Sequence, residues 1–307
     1  MIQGTVIKAA GNLYSVRSEN GIISDCHIKG NLRVKGIRST NPVTIGDKVT
    51  YILNNKIGTI LKIEDRRNYI VRRASNLSKL YHIIASNIDQ AILIITITQP
   101  ETNTDFIDRY LVAAESFRIP AILVFNKIDL CLGEFQKKYD DLLAIYTKIG
   151  YLCIATSIKD NLNLDLFEGL LKNKISVING NSGVGKSSLI KSVCPELNIK
   201  IGSISEYHHK GVHTTSYSEM YEINPNSYII DTPGIRGFGL IDFYKEELYH
   251  YFPEIFKISS ECKFYNCTHI HEPGCMVIEA LRNNIIAASR YFSYMNIFND
   301  KGQKYRY

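Results

Sequence analysis

The sequence has no apolar run long enough to cross a bilayer; the longest, Ala91–Thr98, falls far short of the roughly 20 residues a spanning helix needs. Its first residues, MIQGTVIKAAGN, carry no apolar signal core, so a cytoplasmic protein without a membrane partner is expected. A strong excess of one charge is also missing. The 36 Lys and Arg against 30 Asp and Glu give +6, short of the footprint of a strongly basic nucleic-acid binder. The cysteines number seven, an odd count without a secretion signal, which argues against a disulfide framework. Nor is this a disordered composition. With 45% hydrophobic and 21% charged residues over 307 positions, the chain can build two or three domains and at least one sizeable core.

What is present changes in texture along the chain. Short β-type runs at Ile2–Lys8, Leu13–Arg17, Ile22–His27, Lys48–Leu53 and Gly58–Ile63, parted by Gly and Asn turns, predict a small OB-like β-barrel. From Asn87 onward, apolar strand runs (Ala91–Thr98, Ala121–Phe125, Tyr151–Ala155, Lys174–Ile178, Tyr217–Ile223, Ser227–Ile230) alternate with helical spacing (Phe106–Phe117, Phe135–Ile149, Leu162–Leu171 and a helix from Lys186). That alternation predicts an α/β domain with a mostly parallel sheet. Past Gly239 the pattern turns to short helices, with a longer helical stretch near Val277–Phe298. The expected domains are 1–68, 69–238 and 239–307.

Gly180-Asn181-Ser182-Gly183-Val184-Gly185-Lys186-Ser187, followed by Ser188, fits G-x-x-x-x-G-K-[ST] between an apolar strand and a helix, the context that gives a P-loop its meaning. Its glycines let backbone N–H groups wrap phosphates, Lys186 reaches the β- and γ-phosphates, and the Ser187 hydroxyl ligates Mg²⁺. Asp231-Thr-Pro-Gly234 closes a strand, so Asp231 is a candidate Mg²⁺ partner and the Gly234 N–H a candidate γ-phosphate donor. Asn126-Lys127-Ile128-Asp129 follows another strand. The Asp129 carboxylate can accept from guanine N1–H and its 2-amino group, a donor pair that adenine lacks. Thr156 and Ser157, after the next strand, fit a second base-contacting loop.

The order of these motifs is unusual: the candidate guanine loop (126) precedes the P-loop (180) and the DTPG segment (231). A Ras-like sheet still forms if the chain is cut and rejoined, so the order reads as a circular permutation. Cys262, Cys267 and Cys275 crowd together near His269 and His271, a thiolate-rich set suited to a closed tetrahedral zinc site. The permuted order, the N-terminal barrel and Cys262-x₄-Cys267-x-His269-x₅-Cys275 together resemble the ribosome small-subunit-dependent GTPases, the RsgA family. Asn87–Gln90, Gly211-x-His213-Thr214-Thr215 and His271–Cys275 support the likeness, which covers essentially the whole chain.

The resemblance implies a multidomain fold: an OB-like barrel, a central circularly permuted P-loop GTPase domain and a C-terminal helical zinc-binding domain. It implies a monomeric GTP hydrolase that binds the 30S subunit and its 16S rRNA late in maturation and is stimulated there, with Mg²⁺ beside the GTP. It favours His269 over His271 as the fourth ligand of one structural zinc. Thr214 or Thr215 is expected to complete the Mg²⁺ shell. Ile235 stands where Ras-like enzymes usually carry a water-orienting Gln, so slow intrinsic turnover is expected. His213 is the candidate water-positioning group; the plainer reading is a solvent-exposed loop histidine. Val212 departs from the basic residue expected before His-Thr-Thr, and Lys210 can supply that charge.

Lys29, Arg33, Lys35 and Arg38, the join residues Arg66, Arg67, Arg72 and Arg73, and the tail residues Lys301, Lys304 and Arg306 are candidate rRNA contacts or simply solvated faces. Contact at Gly234 is expected to bias the docking of the cysteine-rich segment that follows it. Two rival readings remain: a nucleotide-dependent RNA-docking factor with negligible turnover, and a GTPase serving a process outside the ribosome.

Overall fold

The computed structural model describes residues 1–30, 42–54, 57–73, 81–195, 218–231 and 244–300. Lys210, Val212, His213, Thr214, Thr215, Gly234 and Ile235 lie outside them, as do Arg33, Lys35, Arg38 and the basic tail.

Strands β1 (Ile2–Ala10), β2 (Leu13–Ser18), β3 (Ile23–Ile28), β4 (Lys48–Asn54) and β5 (Ile57–Ile63) form the barrel in the order β1-β2-β3-β5-β4, closed by β1 against β4. Only β3 and β5 run parallel. The period-2 alternation turns Val6, Tyr14, Val16, Cys26, Val49, Tyr51 and Ile60 into one interior, as a closed small barrel requires.

A hairpin that the sequence reading missed follows: β6 (Tyr69–Arg73) pairs antiparallel with β7 (Tyr81–Ser86). The arginines there mask the strand character of a hairpin in which Ile70 and the run Ile83, Ile84 and Ala85 are buried. The same region corrects the RNA-contact expectation for Arg66. Its Nε and Nη2 donate to the two Asp47 carboxylate oxygens at 2.7 Å each, with the Arg66 side chain 4% and that of Asp47 0% exposed. Ser86 Oγ (2.6 Å) and the Thr44 N–H (2.9 Å) also donate to Asp47. The bidentate geometry ties the barrel loop that carries Asp47 to the segment entering the hairpin, although Arg66 Nη1 is buried without a hydrogen-bond partner. Arg67 is exposed but engaged, with Nη2 2.7 Å from Asp89 and 3.0 Å from the Ile88 carbonyl oxygen.

The central sheet runs β10 (Leu152–Thr156), β9 (Ala121–Asn126), β8 (Gln90–Ile95), β11 (Ile175–Asn179), β13 (Ser227–Asp231), β12 (Ser218–Asn224). All neighbours are parallel except β12, which pairs antiparallel with β13. β8 is buried along its whole length, as a central parallel strand with both faces covered must be. Leu93, Ile95, Leu123 and Phe125 pack on one face beneath α1 (Thr104–Ser116) and α2 (Glu134–Ile149). Ile92, Ile94, Ile122 and Val124 pack on the other beneath α3 (Leu164–Leu171) and α4 (Lys186–Val193).

The C-terminal segment is a 3-10 helix (Lys245–Tyr251) followed by α5 (Pro253–Ser259), α6 (Met276–Arg282) and α7 (Ala288–Asn299). The longer stretch expected near Val277–Phe298 is therefore two helices, and Asn284, at φ 55°, helps turn the chain between them. Their core of Leu248, Phe252, Ile255, Val277, Ile286, Tyr294 and Ile297 also takes in Val112 of α1. Beside it lies Arg290, fully buried. Its Nη1 donates to Asp108 of α1 at 2.7 Å, and its Nε and Nη2 donate to Glu254 at 2.7 and 3.2 Å. Its guanidinium lies 4.6 Å from the Phe252 ring centroid. Burial alone would lower the Arg290 pKa, but the Asp108 and Glu254 carboxylates outweigh it and hold the group charged.

Candidate functional site

The C-terminal ends of parallel strands are where open α/β sheets bind ligands, and the sequence motifs converge there. β11 runs into Gly180, whose φ of 147° suits glycine, and an added Cβ would lie 2.3 Å from the Ile94 carbonyl oxygen. The loop closes at Gly185, φ 92°, directly before α4. Lys186 Nζ donates to the carbonyls of Gly180 and Asn181, both at 2.7 Å, so the loop curls around its own ammonium group. Val184 is buried beneath the loop, while Ser182, Gly183 and Ser188 are exposed and Asn181, Gly185 and Ser187 are half-buried. Asp231 ends β13, alongside β11.

Asn126, at the end of β9, locks the second loop to the first. Its Nδ2 donates to the Val184 carbonyl at 2.8 Å, and its Oδ1 accepts from Thr156 Oγ1 at 3.0 Å. Lys127, at φ 58°, sends its Nζ to the carbonyls of Gly183 (2.7 Å) and Gln99 (2.9 Å). Ile128 and Asp129 sit in a 3-10 turn, Ile128–Leu130. One Asp129 carboxylate oxygen accepts from buried Ser157 Oγ at 2.8 Å. Ser157 Oγ in turn accepts the Asp160 N–H at 3.1 Å. A carboxylate held this way offers acceptor oxygens in a fixed direction, the geometry needed to read an adjacent N–H and NH₂ pair. The Gln99–Pro100 turn belongs to this arrangement and was missed. It contributes a backbone carbonyl, which no side-chain motif reveals.

Cys262, Cys267, His269 and Cys275 bring one ligand atom each to within 4.8 Å of one another. Cys262 Sγ and Cys275 Sγ are 4.0 Å apart, and each is 3.6 Å from His269 Nδ1. A tetrahedron with ordinary zinc–sulfur and zinc–nitrogen bonds has S···S edges of about 3.8 Å and S···N edges of about 3.6 Å, so the donors fit such an ion. Burial pushes the Cys267 thiol up to about 12, raises Cys275 and lowers His269. The imidazole is thus held neutral with a lone pair to give, and a bound cation would release the thiol protons. His271 is exposed and outside the cluster.

Residues that the motif did not announce shape this loop. The Glu272 carboxylate accepts the backbone N–H groups of Thr268 (2.8 Å), Ile270 (3.1 Å) and His271 (3.2 Å). Tyr291 and Tyr294 of α7 donate their hydroxyls to the carbonyls of His269 and Thr268 at 2.8 and 2.7 Å.

The strand order with its antiparallel edge, a phosphate-type loop after β11 and a base-type loop after β9 define a P-loop domain of the Ras-like GTPase class, circularly permuted so that its phosphate-loop strand, β11, comes fourth among the strands of the central sheet. Comparison with known families agrees. A model described as RsgA GTPase matches residues 63–241, and one described as RsgA N-terminal domain matches residues 3–60. The chain belongs to the RsgA GTPase family. It is 52% identical to "Small ribosomal subunit biogenesis GTPase RsgA 2" of Bacteroides thetaiotaomicron, over 99% of both chains. It is also 52% identical to "Small ribosomal subunit biogenesis GTPase RsgA" of Phocaeicola vulgatus, again over 99% of both. Among solved structures it resembles YjeQ from Thermotoga maritima, with TM-score 0.79 and 33% identity over 97% of each chain. YloQ, described as a circularly permuted GTPase, gives TM-score 0.75 and 30% identity over 100% of this chain and 97% of that one.

Among the described residues, no helix is long and apolar enough to cross a membrane.

Proposed function

We propose that this protein is a GTP hydrolase of small-ribosomal-subunit maturation, converting GTP and water to GDP and phosphate with stimulation by the 30S subunit. The observation that carries the reading is the pairing of two loops. The Gly180–Lys186 loop curls around an ammonium group, and Asn126 and Lys127 tie it to an Asp129 carboxylate braced by Ser157. In this reading Lys186 leaves its two carbonyl partners for the β- and γ-phosphates, while the loop amides from Asn181 to Ser188 surround them. Asp129 accepts from the guanine edge, the Lys127 stem covers the ring, and Thr156 and Ser157 hold the two base-contacting loops together.

Mg²⁺, when bound, neutralises charge developing on the phosphate oxygens; Ser187, Asp231 and Thr214 or Thr215 are the residues that would hold it. Gly234 is assigned to the γ-phosphate and His213 to the attacking water. Zinc on Cys262, Cys267, His269 and Cys275 would be structural, since four protein ligands leave no open position. The domain division 1–68, 69–238 and 239–307 remains our assignment, with the barrel and 16S rRNA as partners, a monomeric state and a cytoplasmic location.

Phosphate release measured with and without purified 30S subunits tests the proposal. Clear stimulation is the expected result. Flat rates with GTP-dependent 30S binding would favour a docking factor, and no association would place the activity outside the ribosome.

A further inference from the structure

The barrel and the nucleotide-binding sheet form one hydrogen-bonded surface that meets at β12. β1 pairs antiparallel with β12 at Lys8↔Glu219 and Ala9↔Ser218. β12 folds back into β13, which runs parallel to β11, Val177 beside Ile230, and ends at Asp231. The far end of this hairpin therefore lies next to the strand that opens into the P-loop.

A side-chain clamp reinforces the seam. Arg17, on β2 of the barrel, places Nη2 3.0 Å from the Glu222 carboxylate, and its Nη1 donates to the Tyr228 hydroxyl. The guanidinium carbon lies 5.8 Å from the Tyr228 ring centroid. Glu222 and Tyr228 face each other across β12 and β13. One barrel residue thus grips both strands of the hairpin, at the rung three residues before Asp231. A partly exposed ion pair adds little to global stability. Its reach is what matters: it joins β2 of the barrel to both strands of the hairpin that ends at Asp231.

We propose that the β12–β13 hairpin transmits between barrel and nucleotide site, and that Arg17 is its positioning residue. Barrel docking on the small subunit fixes the hairpin, and with it Asp231 relative to the P-loop. Where docking shifts nucleotide affinity, linkage requires the nucleotide to shift barrel affinity by the same factor. The link to hydrolysis rests on the GTPase reading above; the mechanical link does not.

Two measurements on the full chain decide it. Amide hydrogen exchange of residues 2–10 is followed with GDP and with a non-hydrolysable GTP analogue. Turnover is followed with and without 30S subunits. Wild-type exchange in β1 is expected to differ between the nucleotides. Arg17→Ala erases that difference and removes most of the 30S stimulation, with basal turnover and GTP affinity unchanged. Arg17→Lys, which keeps a cation near Glu222, restores part of both. Identical β1 exchange with the two nucleotides in the wild type overturns the proposal, as does an Arg17→Ala protein that keeps the wild-type exchange difference. If wild-type turnover ignores 30S while the exchange arm behaves as stated, the ribosomal reading fails and the hairpin coupling stands.

Discussion

Replacing Arg290 by Met should release the C-terminal segment from α1. The guanidinium is fully buried and is shared by two carboxylates, Asp108 (0% exposed) and Glu254 (13%). Once it is gone, Asp108 keeps only neutral partners, the Tyr146 hydroxyl, which donates to it at 2.8 Å, and the Ser293 side chain, too little to compensate a fully buried carboxylate. Removing one partner of a buried pair costs about 3–5 kcal/mol, because the other charge is left uncompensated. That is a shift of roughly a hundred- to several-thousand-fold in the docked population. The chain has no tryptophan, so urea unfolding is best followed by tyrosine fluorescence and circular dichroism. Arg290→Met should unfold earlier or show a separate undocking step. Asp108→Asn, which keeps a polar partner for Arg290, should cost less. Joint replacement by Arg290→Met, Asp108→Leu and Glu254→Leu removes all three charges of this network and should recover most of the loss. A single Arg290→Met variant within about 1 kcal/mol of wild type would refute the idea that this network holds the two domains together.

Lys186→Ala should abolish GTP binding in a calorimetric titration, and retained affinity would undo the phosphate-site assignment. Ser157→Ala removes the hydroxyl that aims Asp129 and should weaken guanine-nucleotide affinity by about tenfold, one charge-assisted hydrogen bond's worth, with little change in fold; Asp129→Asn should shift preference toward xanthine nucleotides. Stripping metal with a chelator, or Cys267→Ser, should leave the barrel and sheet folded while the Cys262–Cys275 loop loses protection in hydrogen exchange. Elemental analysis of untreated protein should return about one zinc per chain, and a metal-free protein with an intact loop would count against the site.

Much of the scaffold was legible because period-2 alternation and βα alternation are long-range regularities of the chain. β8 announced itself as a buried strand and β11 as a strand, and the glycines of Gly180–Gly185 marked a phosphate loop. The β6–β7 hairpin escaped because Arg72 and Arg73 break its apolar pattern. The reading of Arg66 as an RNA contact failed for a related reason: its partner, Asp47, is distant in sequence, and only the closed barrel brings the two together. The same limit hid Glu272, Tyr291 and Tyr294, whose roles are hydrogen bonds to backbone around His269. The expected bias of C-terminal docking by contact at Gly234 falls on a residue outside those described. Among the described residues that docking runs through α1, by way of Val112, Asp108 and Arg290.

The pairing of β1 with β12 also bears on solubility. A sheet in the order seen here ends in an antiparallel strand whose outer row of N–H and C=O groups would face solvent, a template for strand addition by another molecule. In this protein the barrel occupies that edge where Lys8 and Ala9 meet Glu219 and Ser218. Cutting off the barrel would therefore do more than delete a domain: it would bare an adhesive border. Self-association of such a fragment should not be mistaken for a property of the intact chain.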